Sequence, residues 1–314
     1  MANPLSVSRI VITISLLSLI VQIVASAYLI PKINQPIHVG YVLAALACEF
    51  LAFGVLAPFI KGYYQRESVP LSYTRSLALL LASESFSRLV PFGDYFVQRY
   101  YFDLHHWKRG APLRYITILY CVGLLSLIAL FLSLQLTVFV LYPNRVSNDF
   151  AGKFIYIPLV ITAILIVLFL LRKRRRLTER LQSQFQKFLG SKMESPFAIL
   201  GNDGRPLSSN IMLILPLLAT WIFEGIAYTL CLKAFGVRAP LLLSLYAYTF
   251  VKMFRFIPIF PGGVGEIEAT SSLLFSSYGF AIAPVITGSI VFRFVSYWFP
   301  VALGVVSARV VLRR

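Results

Sequence analysis

An all-α, polytopic membrane fold follows from three observations on the sequence. The 314 residues are 58% hydrophobic and only 13% charged, and the apolar residues fall in windows long enough to cross a bilayer. A soluble domain carries about 25% charged residues, and a mean hydropathy of +0.79 leaves too little polar surface for one. At roughly 20 residues per crossing, the length accommodates the spans and their loops and leaves no room for a separate soluble catalytic domain. The chain therefore reads as one integral membrane domain over residues 1–314.

Six windows are expected as full crossings: residues 10–30, 37–60, 113–142, 154–171, 211–235 and 282–306. The first contains Ala25-Ser26-Ala27, which resembles a leader-cleavage site, but its apolar run exceeds an ordinary leader core of about 7–15 residues and reads as a retained helix. Two further apolar stretches, 77–92 and 241–260, carry charges and run into Pro and Gly clusters, so each is expected to break within the membrane, the second within a segment that extends to residue 280.

Basic residues set the expected sidedness. The 29 Lys and Arg against 12 Asp and Glu give a net charge of +17. In so apolar a chain this excess belongs to cytoplasmic loops and anionic lipid rather than to nucleic acid. The densest run, Arg172 to Arg176 with Arg180, Lys187, Lys192 and Arg205, makes 172–209 a basic cytoplasmic loop that divides a first half, 1–171, from a second, 210–314. Counting crossings outward places both termini in the cytoplasm. Both flanks of 77–92 then lie inside and both flanks of 241–280 outside, which makes them re-entrant segments of opposite sense. They share an Arg-x-x-Pro followed by a Gly-acid pair: Arg88, Pro91, Gly93 and Asp94 in one, Arg255, Pro258, Gly265 and Glu266 in the other. That suggests an inverted repeat.

Nine ionisable residues fall within or beside these segments: Glu49, Glu84, Arg88, Glu224, Lys252, Arg255, Glu266, Glu268 and Arg293. Each costs about 2.5–3.5 kcal/mol at the membrane centre on insertion scales. Pairing is expected, with Glu49 and Lys252 the best candidates to snorkel to the surface. Pro258-Ile259-Phe260-Pro261-Gly262-Gly263-Val264-Gly265-Glu266-Ile267-Glu268 stops one helix and starts another. At least one of Gly262, Gly263 and Gly265 is expected to need a positive φ, and the amides of the new helix suit a phosphate.

Pro258, Pro261, Gly262, Gly263, Gly265, Glu268 and Ala269 fit P-x-x-P-G-G-x-G-x-x-E-A position by position, and Tyr278-Gly279, Arg293, Tyr297-Trp298-Phe299-Pro300 and Gly304 follow. This resembles the flippase-like membrane domain of lysylphosphatidylglycerol synthetases. Pro91 to Asp94 resembles the family's earlier P-x-G-acid turn. Val97 stands where a basic residue is often seen, with Arg99 the nearest substitute, and an acidic and basic pair common in the next span is missing between Ile116 and Gly123.

The resemblance implies the lipid-translocating half without the synthase: a carrier of a phospholipid or polyprenyl-phosphate headgroup, working in the cell membrane. Arg88, Arg255 and Arg293 would meet the phosphate, and Asp94, Glu266 and Glu268 a cationic group or protons. No cofactor or metal site is expected, and a homo-oligomer is compatible with the layout. Cys48, Cys121 and Cys231 are scattered through apolar sequence and form no metal knuckle. A small-solute transporter or an envelope scaffold is the alternative. An intramembrane enzyme fits less well, because H-E-x-x-H and G-x-S-x-G are absent and the neighbours His105 and His106 point apart on a helix, and the lack of a Walker A sequence argues against ATP drive.

Overall fold

The computed structural model describes residues 20, 24, 37–66, 69–89, 93–104, 110–142, 213–254 and 265–311. Every regular element among them is helical: α1 (Val39–Arg66), α2 (Tyr73–Leu89), α3 (Gly93–Leu104), α4 (Gly110–Leu141), α5 (Ile214–Ala234), α6 (Leu241–Phe254), α7 (Glu266–Ser277) and α8 (Ile282–Arg293). A five-residue π turn, Phe294–Trp298, joins α8 to α9 (Phe299–Val311). The expected windows 10–30 and 154–171 and the basic loop 172–209 lie outside the described residues, although Ile20 and Val24 are helical.

Among the described residues four helices are long and apolar enough to cross a membrane: Val39–Gln65, Val122–Leu141, Ile214–Ala234 and Ile282–Arg309. They match four of the six expected crossings. By contrast α6, α7 and α3 have 14, 12 and 12 residues, only about 18–21 Å at 1.5 Å per residue. None can cross about 30 Å of hydrocarbon alone. They flank the two expected breaks.

Two antiparallel pairs build the frame. The amide of His38 at the start of α1 donates to Ala234 O at the end of α5 (3.1 Å), and Thr220 Oγ1 reaches Ala52 O (3.5 Å) further along. In the second pair α2 runs against α9: Ser85 Oγ donates to Val301 O (2.9 Å), and a Cβ on Gly304 would lie 2.2 Å from Ser85 Cβ and 2.3 Å from Leu81 O. Only a residue without a side chain fits this crossing, the small-residue packing that membrane helices use in place of a hydrophobic drive.

The apolar core divides into two clusters, one toward each end of the bundle. The first holds the second half of α1, much of α2, α3, the starts of α4 and α5 and the end of α9. The second holds Ala45 of α1, the middle and end of α4, most of α5, and α6, α7 and α8. Helix ends assigned by charge to one face therefore share a cluster. The α2–α3 pair leaves and rejoins the first cluster and the α6–α7 pair the second, so the two broken segments enter from opposite ends.

Candidate functional site

Both breaks close onto the same stretch of one helix. At the end of α2, Arg88 Nη1 donates to the carbonyl of Ser296 and lies 3.5 Å from that of Tyr297, and the Tyr297 hydroxyl donates back to Arg88 O (2.6 Å). Ser296 and Tyr297 belong to the π turn, where the bonding register shifts from i−4 to i−5; such turns recur at functional sites. Arg88 also carries Glu84 at 3.7 Å and sits 5.9 Å from the centroid of the Phe53 ring.

The second break ends at Gly265, whose φ of +82° lies in the left-handed region, as expected of at least one glycine in the turn. α7 starts at once, and the Glu268 carboxylate reaches back to accept the Gly265 amide (3.1 Å), one half of a capping box. The same carboxylate oxygen accepts from Arg293 Nη2 at 2.9 Å, with the arginine side chain only 3% exposed and Glu268 16%. Arg293 stands three to four residues before Ser296 and Tyr297, about one helical turn or ~5 Å along the axis. One segment of the last span thus holds the end of the first broken helix and the beginning of the second.

A third charged group lies beside this junction. Lys252, near the end of α6, meets Glu224 Oε2 of α5 at 2.5 Å, and the Tyr248 hydroxyl donates to the same oxygen. The ammonium lies 4.8 Å from the Trp221 ring centroid and 5.8 Å from that of Tyr248, a cation–π arrangement. Trp221 is fixed by donating to Ser126 Oγ of α4 (3.2 Å). Tyr248 packs edge-on against Phe292 of α8, the neighbour of Arg293 (ring centroids 5.9 Å apart), which ties this pair to the junction. Close packing of α5 on α6 at Gly225, where a Cβ would fall 2.5 Å from Leu245, brings the partners together.

Among the expected site residues, Arg88, Asp94, Glu268, Arg293 and the turn glycines Gly93 and Gly265 are described. Arg88, Glu268 and Arg293 meet at the junction. Asp94 is buried (7% exposed) on the α3 side of the first break, and Glu266 opens α7. Arg255, Pro91, Pro258, Pro261, Gly262 and Gly263 lie outside the described residues.

The snorkelling expected of Glu49 and Lys252 is overturned. Glu49 is 1% exposed in the middle of α1, and Lys252 points inward to Glu224. Each is on the inner face of its helix, and a side chain can snorkel only from a lipid-facing position near a helix end. The sequence reading also missed Trp221, Tyr248 and Ser296 as partners of these charges. The i, i+4 spacing of Tyr248 and Lys252 in α6 was a usable signal, whereas a backbone carbonyl in a π turn leaves none. Among the described residues no group of three or more His, Cys, Asp or Glu side chains could hold a metal ion.

Comparison with known proteins adds a family. A family profile described as "Lysylphosphatidylglycerol synthase TM region" matches residues 6–304. A UPF0104 membrane protein of Methanothermobacter thermautotrophicus is 23% identical over 205 residues, 65% of this chain and 53% of the relative. Another UPF0104 membrane protein of the same organism is 29% identical over 133 residues, 41% of this chain and 36% of the relative. The matches span about half and about a third of those two proteins. No solved structure matches the chain.

Proposed function

Because the chain belongs to the lysylphosphatidylglycerol synthase transmembrane-region family, whose profile covers nearly all of it, we propose that this multi-pass membrane protein is a flippase-like lipid transporter, not an enzyme. It moves the headgroup of a phospholipid or a polyprenyl phosphate between leaflets while the tails stay in the bilayer. One observation carries this reading: two helices broken from opposite ends of the bundle converge, with Arg88 and Arg293, on one turn of the last span. A polar path needs backbone interruptions at membrane depth, and these are tolerated only inside protein or beside a wet cavity.

In the resting arrangement Arg293 is neutralised by Glu268 and Lys252 by Glu224. An arriving phosphate competes with the carboxylates for the guanidinium groups, which offer bidentate donors. It thereby exchanges one ion pair for another instead of adding charge to an apolar interior. Arg255, which follows α6 directly in the sequence, joins the phosphate donors in this proposal. Asp94, Glu266 and Glu268 take the cationic part of the headgroup or a proton. Both termini and the 172–209 loop are assigned to the cytoplasm.

The test uses purified protein in vesicles with a headgroup-labelled phospholipid or short-chain polyprenyl phosphate, scored by quenching of outer-leaflet label. Protein-dependent transfer that falls at least tenfold in Arg88→Gln and Arg293→Gln, with folded protein recovered in both, is expected. Transfer at the wild-type rate by both variants would remove the phosphate path. Transfer of a soluble solute but of no lipid would replace the reading with a small-solute transporter.

A further inference from the structure

The last span is one helix by length and two by attachment. Before the π turn, α8 is bound to the second broken segment and to the frame. Arg293 holds Glu268 of α7 (2.9 Å), and Gly288 sits so close to α5 that a Cβ there would lie 3.0 Å from Leu232 Cα. After the turn, α9 is bound to the first broken segment, through Ser85 to Val301 O (2.9 Å) and through the Gly304 crossing. The core divides at the same place: Phe292 and Val295 belong to the second cluster, Ala308 and Val311 to the first. The π turn Phe294–Trp298 is the joint between these two attachments.

The cause of the joint lies two residues past it. Pro300 has no amide hydrogen, so the donor that a straight α-helix would offer to Ser296 O is missing, and the proline ring would press on that same carbonyl. Within a membrane such a proline is tolerated when a π adjustment or a neighbouring helix satisfies the freed group. Both occur here. The register widens, with the Phe299 amide donating to Phe294 O, and Arg88 of α2 donates to Ser296 O. In the sequence a proline announces a weakened helix and not which adjustment relieves it. The repair is reciprocal, because Arg88 O lies in the last turn of α2, where carbonyls have no helical donor, and it accepts from the Tyr297 hydroxyl (2.6 Å). Two bonds of opposite direction thus clasp the end of α2 to the turn. Phe299, just after the turn, bears edge-on against Phe50 of α1 (5.4 Å between centroids), which gives the joint a support on the frame.

We propose that the π turn is a hinge on which α2 and α9 move as one body against α7 and α8. The Arg88–Tyr297 clasp holds one of two positions, and Pro300 keeps the turn from closing into a continuous α-helix. The hinge stands on this geometry; its use in headgroup transfer rests on the flippase reading. Hinges are a few residues that absorb the backbone change, and a turn followed by a missing amide donor has the slack to do so. The two broken segments ride on different halves of the span, so a swing at the turn changes the opening between them, as when transporters rock one bundle against another. A phosphate that draws the Arg88 guanidinium from Ser296 O favours the unclasped position by the difference in its affinity for the two.

Double electron–electron resonance on the full chain in lipid nanodiscs, in a background lacking Cys48, Cys121 and Cys231, tests this with spin labels at exposed positions. Leu273 with Val306 spans the turn, Thr74 with Val306 lies within α2 and α9, and Leu273 with Ile282 lies within α7 and α8. Two distances are expected across the turn and one within each body. Pro300→Ala supplies the missing donor and should leave a single cross-turn distance. Its unfolding midpoint should be at or above that of the wild type, while headgroup transfer in vesicles slows at least fivefold. Tyr297→Phe removes one bond of the clasp and should raise the population of the minor distance at least threefold. A single cross-turn distance in the wild type, an unchanged distribution in Pro300→Ala, or equal changes within a body and across the turn overturns the hinge. Unchanged populations in Tyr297→Phe overturn the clasp. Transfer at the wild-type rate by Pro300→Ala, or a loss of transfer that comes with a lowered midpoint, overturns the role of the hinge in transfer. If the wild-type protein moves no lipid, the flippase reading fails and the distances still decide the hinge.

Discussion

Replacing Arg293 perturbs the junction where both breaks meet it. The guanidinium is 3% exposed, its Nη2 lies 2.9 Å from Glu268 Oε2, and Glu268 is itself only 16% exposed. In Arg293→Met an unbranched side chain occupies most of the volume and leaves the carboxylate facing apolar neighbours. Breaking a buried pair from one side costs about 3–5 kcal/mol. Glu268 keeps the Gly265 amide at 3.1 Å and a little solvent, so the loss should fall near about 3 kcal/mol. Glu268→Gln keeps an amide oxygen for both donors but leaves the 3%-exposed guanidinium without a counter-charge, so it should also cost about 3 kcal/mol. In the double variant neither charge remains, so its loss should be only about 1–2 kcal/mol, and the coupling between the two sites about 4–5 kcal/mol. Reversible chemical unfolding of the four proteins in mixed micelles measures this. Additive losses, with a coupling below about 0.5 kcal/mol, would refute the account of a buried, mutually dependent pair.

Four other outcomes are expected. Gly304→Val puts side-chain atoms where even a Cβ lies 2.2 Å from Ser85, so α9 must move from α2 by about 1 Å or more, at about 1–3 kcal/mol, and a cysteine crosslink between the two helices should form more slowly. Gly265→Val forces a β-branched residue to φ +82° and should cost about 1–3 kcal/mol, visible as a lower unfolding midpoint, while Gly265→Asn should recover part of it. Lys252→Met strands Glu224 and should lower stability by about 3 kcal/mol, and Lys252→Met with Glu224→Gln should restore most of it; no recovery would argue against the pair. Single-cysteine labelling in a background lacking Cys48, Cys121 and Cys231 should find Ser147 accessible from outside only, and labelling from the cytoplasmic side alone would overturn the assigned orientation.

The fold was legible because its largest signals are one-dimensional. Apolar windows are long enough to delimit α1, α4, α5 and the α8–α9 span to within a few residues, except that α1 runs on past the expected 60 to Arg66, through Tyr63 and Tyr64, which pack inward. The breaks were legible through Pro and Gly, and the demand for a positive φ was met at Gly265. What could not be read was which face of a helix each charge occupies. Glu49 and Lys252 look alike to a charge census whether they face lipid or core, and the choice is made by partners far away in sequence, Glu224 for Lys252. The site was legible as a set of residues and not as pairs. Arg293 and Glu268 were both expected there, but nothing in the sequence marks them as partners of each other. The hydrogen bonds from Arg88 to Ser296 and Tyr297 span more than 200 residues and depend on a π turn, for which the sequence of Phe294–Trp298 carries no mark.

The three cations at the centre of the bundle are not equivalent, and the difference says which should meet a headgroup first. Arg293 and Lys252 each have a carboxylate oxygen at 2.9 Å or less, so a phosphate must displace a strong charge-assisted bond to reach them. Arg88 is held chiefly by neutral carbonyls of the π turn, with its nearest carboxylate, Glu84, at 3.7 Å and one third exposed to screening. Carbonyl dipoles fix its position without cancelling its charge. In a low-dielectric interior that residual charge is felt over a longer range than it would be in water. Arg88 therefore presents the least compensated positive charge at the point where the first broken helix ends, and a phosphate that settles there lies about one helical turn from Arg293. In the proposed lipid transport, the expected order is capture at Arg88, then exchange of Glu268 for the phosphate at Arg293, with the headgroup passing from the first break to the second along a single turn of the last span.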